Sequence, residues 1–263
     1  MLAVLSPAKS LDESPPPFPV ASTQPALMKD AQSLMRTARG LSQKKIRELM
    51  DLSADLAKLN YDRYRSFELP FDAANALPAA MIFDGEVYRG LSARTLRRED
   101  LEWAQGHVAI LSGMFGLLRP LDLIQPYRLE MGTRLKTRRG ANLYRFWGDA
   151  ITKHINERLA THEDKTLVNL ASNEYFKSVK EKKLDGALLT CVFEDWKDDN
   201  KTPNVISFVA KRARGAMARY LVEHRIDRAE GVKGFDVGGY AFQPARSSEQ
   251  RFVFGRRFVP ASG

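Results

Sequence analysis

The sequence predicts a single mixed α/β domain spanning residues 1–263, and two patterns support that prediction. Short apolar runs, such as those at 2–5 and 108–111, have the length and continuity of buried strands. They alternate with longer segments whose apolar residues recur at helical spacing, which is typical of a central sheet covered by helices. Because the chain contains no internal repeat and no long linker, we expect one domain with a mixed central sheet.

Capping residues and chain breakers set the limits of the elements. Ser42 and Ser53 are each placed to cap a following helix, which makes residues 25–65 a helical element within the domain. Asp84-Gly85, between two apolar runs, favours a tight turn. In chain order, the predicted strands are 2–5, 108–111, 167–170, 187–193, 235–242 and 251–254, and the predicted helices are 25–40, 43–50, 54–60, 95–105, 143–159 and 209–224.

Composition indicates a globular chain with an unusual charge. Apolar residues make up 44% and charged residues 28% of the 263 positions, and the formal net charge is +9. Such an excess of positive charge concentrates polyanions near the surface and speeds their encounter. A single cysteine, Cys191, excludes an intramolecular disulfide, and no signal or membrane segment is visible. We expect a cytoplasmic protein with no membrane partner, and we expect it to be a monomer.

The segment 108–133 combines features that ordinary elements do not share. It is largely apolar, yet glycines and prolines interrupt any regular period. It also contains charged residues, which a buried run excludes unless they are paired or face a cleft. Either a cleft wall or an irregular core segment with internal ion pairs explains this pattern. The charged residues are Arg119, Asp122, Arg128 and Glu130.

Three stretches are rich in basic residues and are candidates for phosphate contacts. The predicted helix 209–224 separates an apolar face from a basic face, residues 134–139 alternate like a strand with one cationic side, and residues 177–183 follow a candidate helix cap. A merely solvated face is the alternative for each of them. The basic face of 209–224 contains Lys211, Arg212, Arg214 and Arg219, with Gly215 beside them.

The helical element 25–65 contains a further candidate for phosphate binding. Residues 50–57 join two predicted helices and resemble the turn of a helix-hairpin-helix, in which backbone N–H groups contact a DNA phosphate. Such turns have glycines where this chain has Asp51 and Ser53, and a carboxylate close to a phosphate is repulsive. An ordinary helical hairpin is the alternative. The basic residues that flank the turn are Lys44, Lys45, Arg47, Lys58 and Arg63.

Recognised catalytic and metal-binding motifs are missing from the sequence. The four histidines lack the i, i+4 spacing of zinc ligands, and no nucleophile elbow, phosphate loop or dinucleotide fingerprint is present. The acidic stretch 194–201 is predicted to be a polar loop. We therefore assign no metal, no cofactor and no catalytic residue. Lys9, just after the first strand, is a candidate anion-binding or reactive lysine beside Tyr127, Arg128 and Glu130.

Several segments taken together resemble a known bacterial family, and 111–133 is the most specific of them. The segments are SPAKSL (6–11), FDGEVYRGL (83–91), LSGMFGLLRPLDLIQPYRLEMGT (111–133), LYRFWGDAIT (143–152), NLASNEYFKSV (169–179), AKRARGAMARYL (210–221) and GFDVGGYAF (234–242). The sequence resembles the YaaA family of peroxide-stress proteins. The resemblance implies a protein that limits iron-linked oxidative damage, with a helix-hairpin-helix element and a positively charged cleft suited to double-stranded DNA.

Two functions of different class are open at this point. In the first, the protein binds double-stranded DNA without sequence specificity and protects it; in the second, it is an enzyme acting on a small anionic or nucleotide substrate. The DNA-binding candidates are Lys9, Lys44, Lys45, Ser53, Lys58, Arg63, Arg119, Arg128, Lys177, Lys180, Lys211, Arg212 and Arg214. The candidates that would line an enzymatic cleft are Lys9, Arg119, Tyr127, Arg128 and Glu130.

Overall fold

A mixed sheet with helices packed on it forms the centre of the protein, which confirms the predicted α/β class. The computed structural model describes residues 1–196 and 203–257. The strands in these ranges are β1 (Leu2–Leu5), β2 (Ser10–Leu11), β3 (Leu77–Pro78), β4 (Phe83–Asp84), β5 (Val108–Ser112), β6 (Gly116–Leu118), β7 (Leu123–Ile124), β8 (Leu167–Asn169), β9 (Leu188–Trp196), β10 (Ala241–Phe242) and β11 (Arg251–Arg257).

The central sheet has the strand order β10-β11-β9-β8-β1-β5-β6. The five strands from β11 to β5 are parallel, and an antiparallel strand closes each edge. The first strand of the chain is in the middle, where Ala3 is in register with Val108 on one side and Val168 on the other. Strands covered on both faces become continuously apolar, which explains why β1 and β5 were visible as uninterrupted apolar runs.

Helices pack on the sheet and form the element predicted at 25–65. The α-helices in the described ranges are α1 (Met28–Arg39), α2 (Gln43–Met50), α3 (Ala54–Ser66), α4 (Ala79–Ile82), α5 (Glu86–Leu91), α6 (Arg98–His107), α7 (Leu143–Trp147), α8 (Ala150–Leu159), α9 (Asn173–Phe176) and α10 (Ser207–Glu223). One cluster of buried apolar side chains, extending from Met1 to Phe254, packs around the sheet.

The hairpin of α2 and α3 follows the predicted capping closely. The Ser42 hydroxyl accepts the N–H of Lys45 at 3.2 Å, and the Ser53 hydroxyl accepts the N–H of Leu56 at 3.3 Å. Between the helices, Asp51 adopts a left-handed conformation with φ of 50°. The helix α3 extends beyond its predicted end at residue 60 to Ser66, and Tyr64 in this last part is buried.

Two predicted elements are divided differently in the structure. Asp84-Gly85 does not join two strands of a hairpin, since the apolar runs on either side form α4 and α5 and only β4 lies between them. The predicted helix 143–159 is interrupted at Gly148, whose φ of 50° ends α7 before α8 begins. In both cases the pattern of apolar residues does not show where a helix begins or ends.

Two predicted strands were wrong in whole or in part. Residues 134–139 form no strand; the N–H of Thr137 bonds to the carbonyl of Gly140 at 2.8 Å, which closes a turn. Within 235–242, only Ala241–Phe242 is a strand, because short 3₁₀ turns occupy the residues before it. The alternation of basic residues in the first stretch therefore does not place them on one face of a sheet.

The acidic stretch that was predicted to be a loop begins inside β9. Asp195 is buried there, and its carboxylate accepts hydrogen bonds from Arg256 at 2.6 Å and from the Tyr240 hydroxyl at 2.9 Å. Asp198 and Asp199 are outside the described residues. Cys191 on the same strand is buried as expected, and burial raises the pKa of its thiol to about 12.

Glycines allow α5 and α10 to cross in backbone contact. A Cβ atom at Gly215 would lie 1.7 Å from the carbonyl oxygen of Val87, and one at Gly90 would lie 2.1 Å from the carbonyl oxygen of Arg212. Gly215 therefore packs at a helix crossing and does not lie on the exposed basic face, which corrects its predicted position. The crossing fixes the first half of α10 against α5.

The described helices include none that is both long enough and apolar enough to cross a membrane.

Candidate functional site

The loops that follow two neighbouring parallel strands, β1 and β8, form the rim of a crevice. From β1 the chain continues to β5 on one side, whereas from β8 it continues to β9 on the other side. In open α/β sheets, ligands bind outside the carboxyl ends of the strands where the connections diverge in this way. Residues 6–10 and 170–175 lie at that position.

A cavity of about 290 Å³ is present between these loops. Segment 84–87, at the start of α5, and the first half of α10 complete its walls. The charged side chains that line it are of both signs, so the predicted cleft is not uniformly positive. The basic residues are Lys9, Lys211 and Arg214, and the acidic residues are Asp84, Glu86, Glu130 and Glu174.

Two serines connect the loops at the floor of the crevice. The Ser6 hydroxyl accepts the backbone N–H of Ser172 at 2.9 Å and donates to the Ser172 hydroxyl at 3.3 Å. The Tyr88 hydroxyl of α5 donates to the carbonyl of Ser6 at 3.1 Å. These bonds hold the ends of β1 and β8 in a fixed relation to α5.

Glu130 pairs with two of the predicted cleft residues. Its Oε1 lies 3.4 Å from Lys9 Nζ and 3.1 Å from Arg128 Nη2. The side chains of Arg128 and Glu130 are each 16% exposed, whereas that of Lys9 is 66% exposed. The other oxygen, Glu130 Oε2, is shielded and accepts no hydrogen bond from the described residues. An ion pair within 108–133 is therefore present. Glu130 lines the cavity, and Arg128 lies with Glu130 and Lys9 around a narrow adjoining recess.

Glu86 supplies a second buried carboxylate to the cavity. Its side chain is 9% exposed, and Oε1 accepts a hydrogen bond from Arg89 at 2.9 Å. Its Oε2 is buried and has no partner within the described ranges. Glu174, across the cavity, accepts the N–H of Gly132 at 2.9 Å.

Arg214 approaches the cavity from α10. Burial lowers the pKa of its guanidinium. Its Nε atom is buried without a hydrogen-bond partner, and it forms no ion pair within residues 1–196 and 203–257. Three side chains of one cavity, Glu86, Glu130 and Arg214, therefore each have a buried polar atom that is unsatisfied.

Tyr127 lies behind the cavity wall and presents no free hydroxyl to it. Its OH is 2.6 Å from the hydroxyl of Ser112, and burial raises its pKa well above the ordinary value. Arg119 does not line the cavity at all. Its guanidinium bonds to Asp122 at 3.0 Å and to the carbonyl of Gln24 at 3.2 Å, so it braces a distant turn. The sequence grouped Arg119 with the cleft residues only because they share one segment.

The predicted hairpin residues lie beside the segment that contains Arg128. Tyr64 of α3 donates a hydrogen bond to the Arg128 carbonyl, so α3 packs directly behind this wall of the cavity. Three basic residues of the hairpin have carboxylate partners, whereas Lys44 and Arg47 are exposed and form no ion pair within the described chain. The pairs are Lys45–Glu48 at 3.5 Å, Lys58–Asp62 at 2.6 Å and Arg63–Glu13 at 2.5 Å.

The remaining DNA-binding candidates differ in their surroundings. Lys211 and Arg212 are exposed on α10, and neither forms an ion pair with any described residue. Lys177 lies over the ring of Tyr144 at 5.4 Å, and Lys180 is half-buried. Ser53 uses its hydroxyl as a helix cap.

Sequence reasoning missed Glu86, Ser6 and Glu174 as parts of the site. Each follows or faces the carboxyl end of a central strand, but that position became apparent only with the strand order. The candidate helix cap that precedes residues 177–183 is Ser172; its side chain makes no capping bond and contacts Ser6. Within the described residues, no group of three His, Cys, Asp or Glu side chains is placed to hold a metal ion.

Comparison with known proteins shows the family. A family model described as "Peroxide stress protein YaaA" matches residues 1–246. The chain belongs to this family. Relatives named "UPF0246 protein" are similar over their full length: one from Paraburkholderia phytofirmans is 52% identical over 98% of this chain and 100% of its own, and one from Verminephrobacter eiseniae is 51% identical over 100% of both. Membership of the YaaA family confirms the resemblance and assigns the chain a role in peroxide stress.

Proposed function

We propose that this protein protects DNA during peroxide stress by binding the double helix through its phosphates, without sequence specificity, and so limits iron-linked oxidative damage. The observation that carries the proposal is the position of unpaired cations on two elements beside one crevice. Lys44 is exposed on the hairpin that packs behind Arg128, and Lys211 and Arg212 are exposed on the helix that forms another wall. None of the three is neutralised by a described carboxylate.

The existing ion pairs of the hairpin do not oppose this proposal. Lys45 and Lys58 pair with carboxylates on their own helices, and their side chains are more than half exposed. Exposed pairs of this kind contribute little to stability, because water and salt screen the two charges. A DNA phosphate can therefore replace Glu48 or Asp62 at low cost, and the net charge of +9 favours the encounter.

The proposal predicts steep salt dependence of duplex binding. If about six phosphates are neutralised, affinity falls ~10³-fold between 50 and 200 mM salt, because condensed counterions are released on binding. Binding of straight, nicked and bent duplexes, followed by fluorescence anisotropy across a salt series, measures this slope. An affinity that does not change with salt would refute phosphate binding.

Charge-reversal variants test which surface is used. Lys44→Glu and Arg212→Glu are each expected to weaken binding and to reduce the salt slope by about one. Arg228→Glu is the matched control. Arg228 is exposed and pairs with Glu163, which lies just before the amino end of β8, whereas the crevice lies at the carboxyl end of that strand. Equal binding by Arg212→Glu and the Arg228→Glu control would place the interface elsewhere.

A further inference from the structure

The charge distribution of the cavity does not match that of a surface for DNA phosphates alone. Glu86 and Glu130 line it together with Lys211 and Arg214, and a carboxylate repels a phosphate at short distance. Buried carboxylates would weaken the binding of a DNA backbone in this cavity. The cavity floor therefore has the features of a site for a ligand with both anionic and hydrogen-bond-donating groups.

Two carboxylates of the cavity can accept hydrogen bonds from such donors. Glu86 and Glu130 use Oε1 in ion pairs, and in each side chain Oε2 is buried without a partner among the described residues. Glu86 is nine-tenths buried. A buried acceptor without a donor is unfavourable, and a ligand hydroxyl or amino group would satisfy it.

Three cationic side chains of the same cavity can bind an anionic group of the ligand. Lys9 and Lys211 are exposed at the rim, and Arg214 lies deeper with its Nε unpaired. Arginine and lysine together suit a phosphate, since arginine binds its oxygens through a planar fork and lysine adds charge. Lys9 already pairs with Glu130, so Lys211 and Arg214 are the cations of this cavity without an ion pair among the described residues.

Size and position restrict the ligand further. A volume of about 290 Å³ is at the lower limit of small-molecule sites and exceeds that of an inorganic phosphate. The cavity is also at the carboxyl ends of β1 and β8, where their connections diverge. At such positions nucleotides bind in other α/β folds, with an Asp or Glu carboxylate on the ribose hydroxyls.

We propose that this cavity binds a ribose phosphate, either free or as a nucleoside monophosphate, with its phosphate at Lys9, Lys211 and Arg214 and its hydroxyl groups at Glu86 and Glu130. Lys211 is shared with the proposed DNA-binding surface, whereas Lys44 and Arg212 do not line this cavity. The proposal concerns binding, and it assigns no reaction to the cavity.

Calorimetric titration of the full-length protein tests the proposal with four probes. AMP and ribose 5-phosphate contain both groups, adenosine lacks the phosphate, and inorganic phosphate lacks the ribose. We expect at least one of AMP and ribose 5-phosphate to bind, and both adenosine and inorganic phosphate to bind at least tenfold more weakly. Absence of binding by both ribose phosphates, or equal binding by inorganic phosphate, overturns the proposal without any variant.

Variants then assign the binding to Glu86. Glu86→Gln keeps the shape of the side chain but replaces one acceptor oxygen by a donor, so it is expected to weaken the better ribose phosphate at least tenfold. Glu163→Gln is the matched control, because Glu163 is exposed and does not line the cavity. Thermal unfolding of both variants verifies that they are folded. Unchanged affinity in Glu86→Gln would overturn the assignment.

The same variants separate this proposal from DNA binding. Glu86→Gln should retain duplex affinity, and Arg212→Glu should retain ribose phosphate affinity. If duplex binding fails while AMP or ribose 5-phosphate binds, only the proposed DNA function is lost; the reverse result removes only the cavity proposal.

Discussion

Two charged side chains that are close in the sequence can have different roles in this structure. Arg119 and Arg128 lie in one unusual segment, yet the first braces a turn through Asp122 and the second pairs with Glu130 beside the cavity. Between them the N–H of Asp122 bonds to the Arg119 carbonyl at 3.1 Å, which closes a turn, and strand β7 follows. Chemistry at a residue is therefore determined by the turn on which it is placed.

His162 provides a residue-scale prediction about pH. Burial, followed by the positive amino group of Met1 and by His107, lowers the pKa of His162 from 6.5 to about 4. Between these two values the unfolded chain binds a proton that the folded protein does not bind, so stability falls as the pH decreases from about 6.5 to 4. We expect His162→Gln to lose less stability than the wild type over this interval.

Urea unfolding at pH 7, 5.5 and 4.5 measures the effect. The neutral ring is held by the Gly106 carbonyl at 3.1 Å from Nε2, and glutamine can donate a hydrogen bond there without titrating. Parallel stability curves for the wild type and His162→Gln would contradict the assignment.

At the scale of elements, the crossing of α5 and α10 positions the cavity. Gly215→Ala is expected to destabilise the protein by about 3 kcal/mol, because the new Cβ meets the Val87 carbonyl and backbone cannot rotate away. Gly106→Ala, in α6, is the matched control. A Cβ at this position would meet no neighbouring atom within 4 Å, so the substitution should stabilise the helix by about 0.5–1 kcal/mol. Thermal or urea unfolding compares them; equal stability of the two variants would show that the crossing tolerates a methyl group.

Elements with local signals were predictable, and elements that depend on tertiary contacts were not. Ser42 and Ser53 mark the starts of α2 and α3 in the sequence because a cap requires only its own first turn. The break at Gly148 and the close packing at Gly215 were missed, since one depends on a left-handed φ and the other on the distant Val87. The candidate site could be predicted only in part for the same reason. Lys9 and Glu130 were chosen by their charge, whereas Glu86 could be assigned to the site only once the strand order was known.

At the scale of the whole molecule, duplex binding and survival should vary together. In a bacterium lacking its own family member and exposed to hydrogen peroxide, wild-type protein is expected to restore survival, and Lys44→Glu/Arg212→Glu is expected to restore less because it binds DNA more weakly. Colony counts after a peroxide pulse, at matched protein levels, measure this effect. Full rescue by a variant that no longer binds duplex would separate protection from DNA binding.

The central position of the first strand has a consequence for how the molecule folds. Ala3 pairs with Val108 and Val168, partners that are synthesised more than a hundred residues after it. Such long sequence separations raise the contact order and slow folding, because distant chain segments must meet before either is stabilised. The emerging chain therefore holds β1 without a partner until β5 has been made, and without its second partner until β8 has been made. Since Ser6 and Ser172 follow these same two strands, the cavity is completed only in the last stage of assembly, and a truncated chain that ends before β8 lacks it.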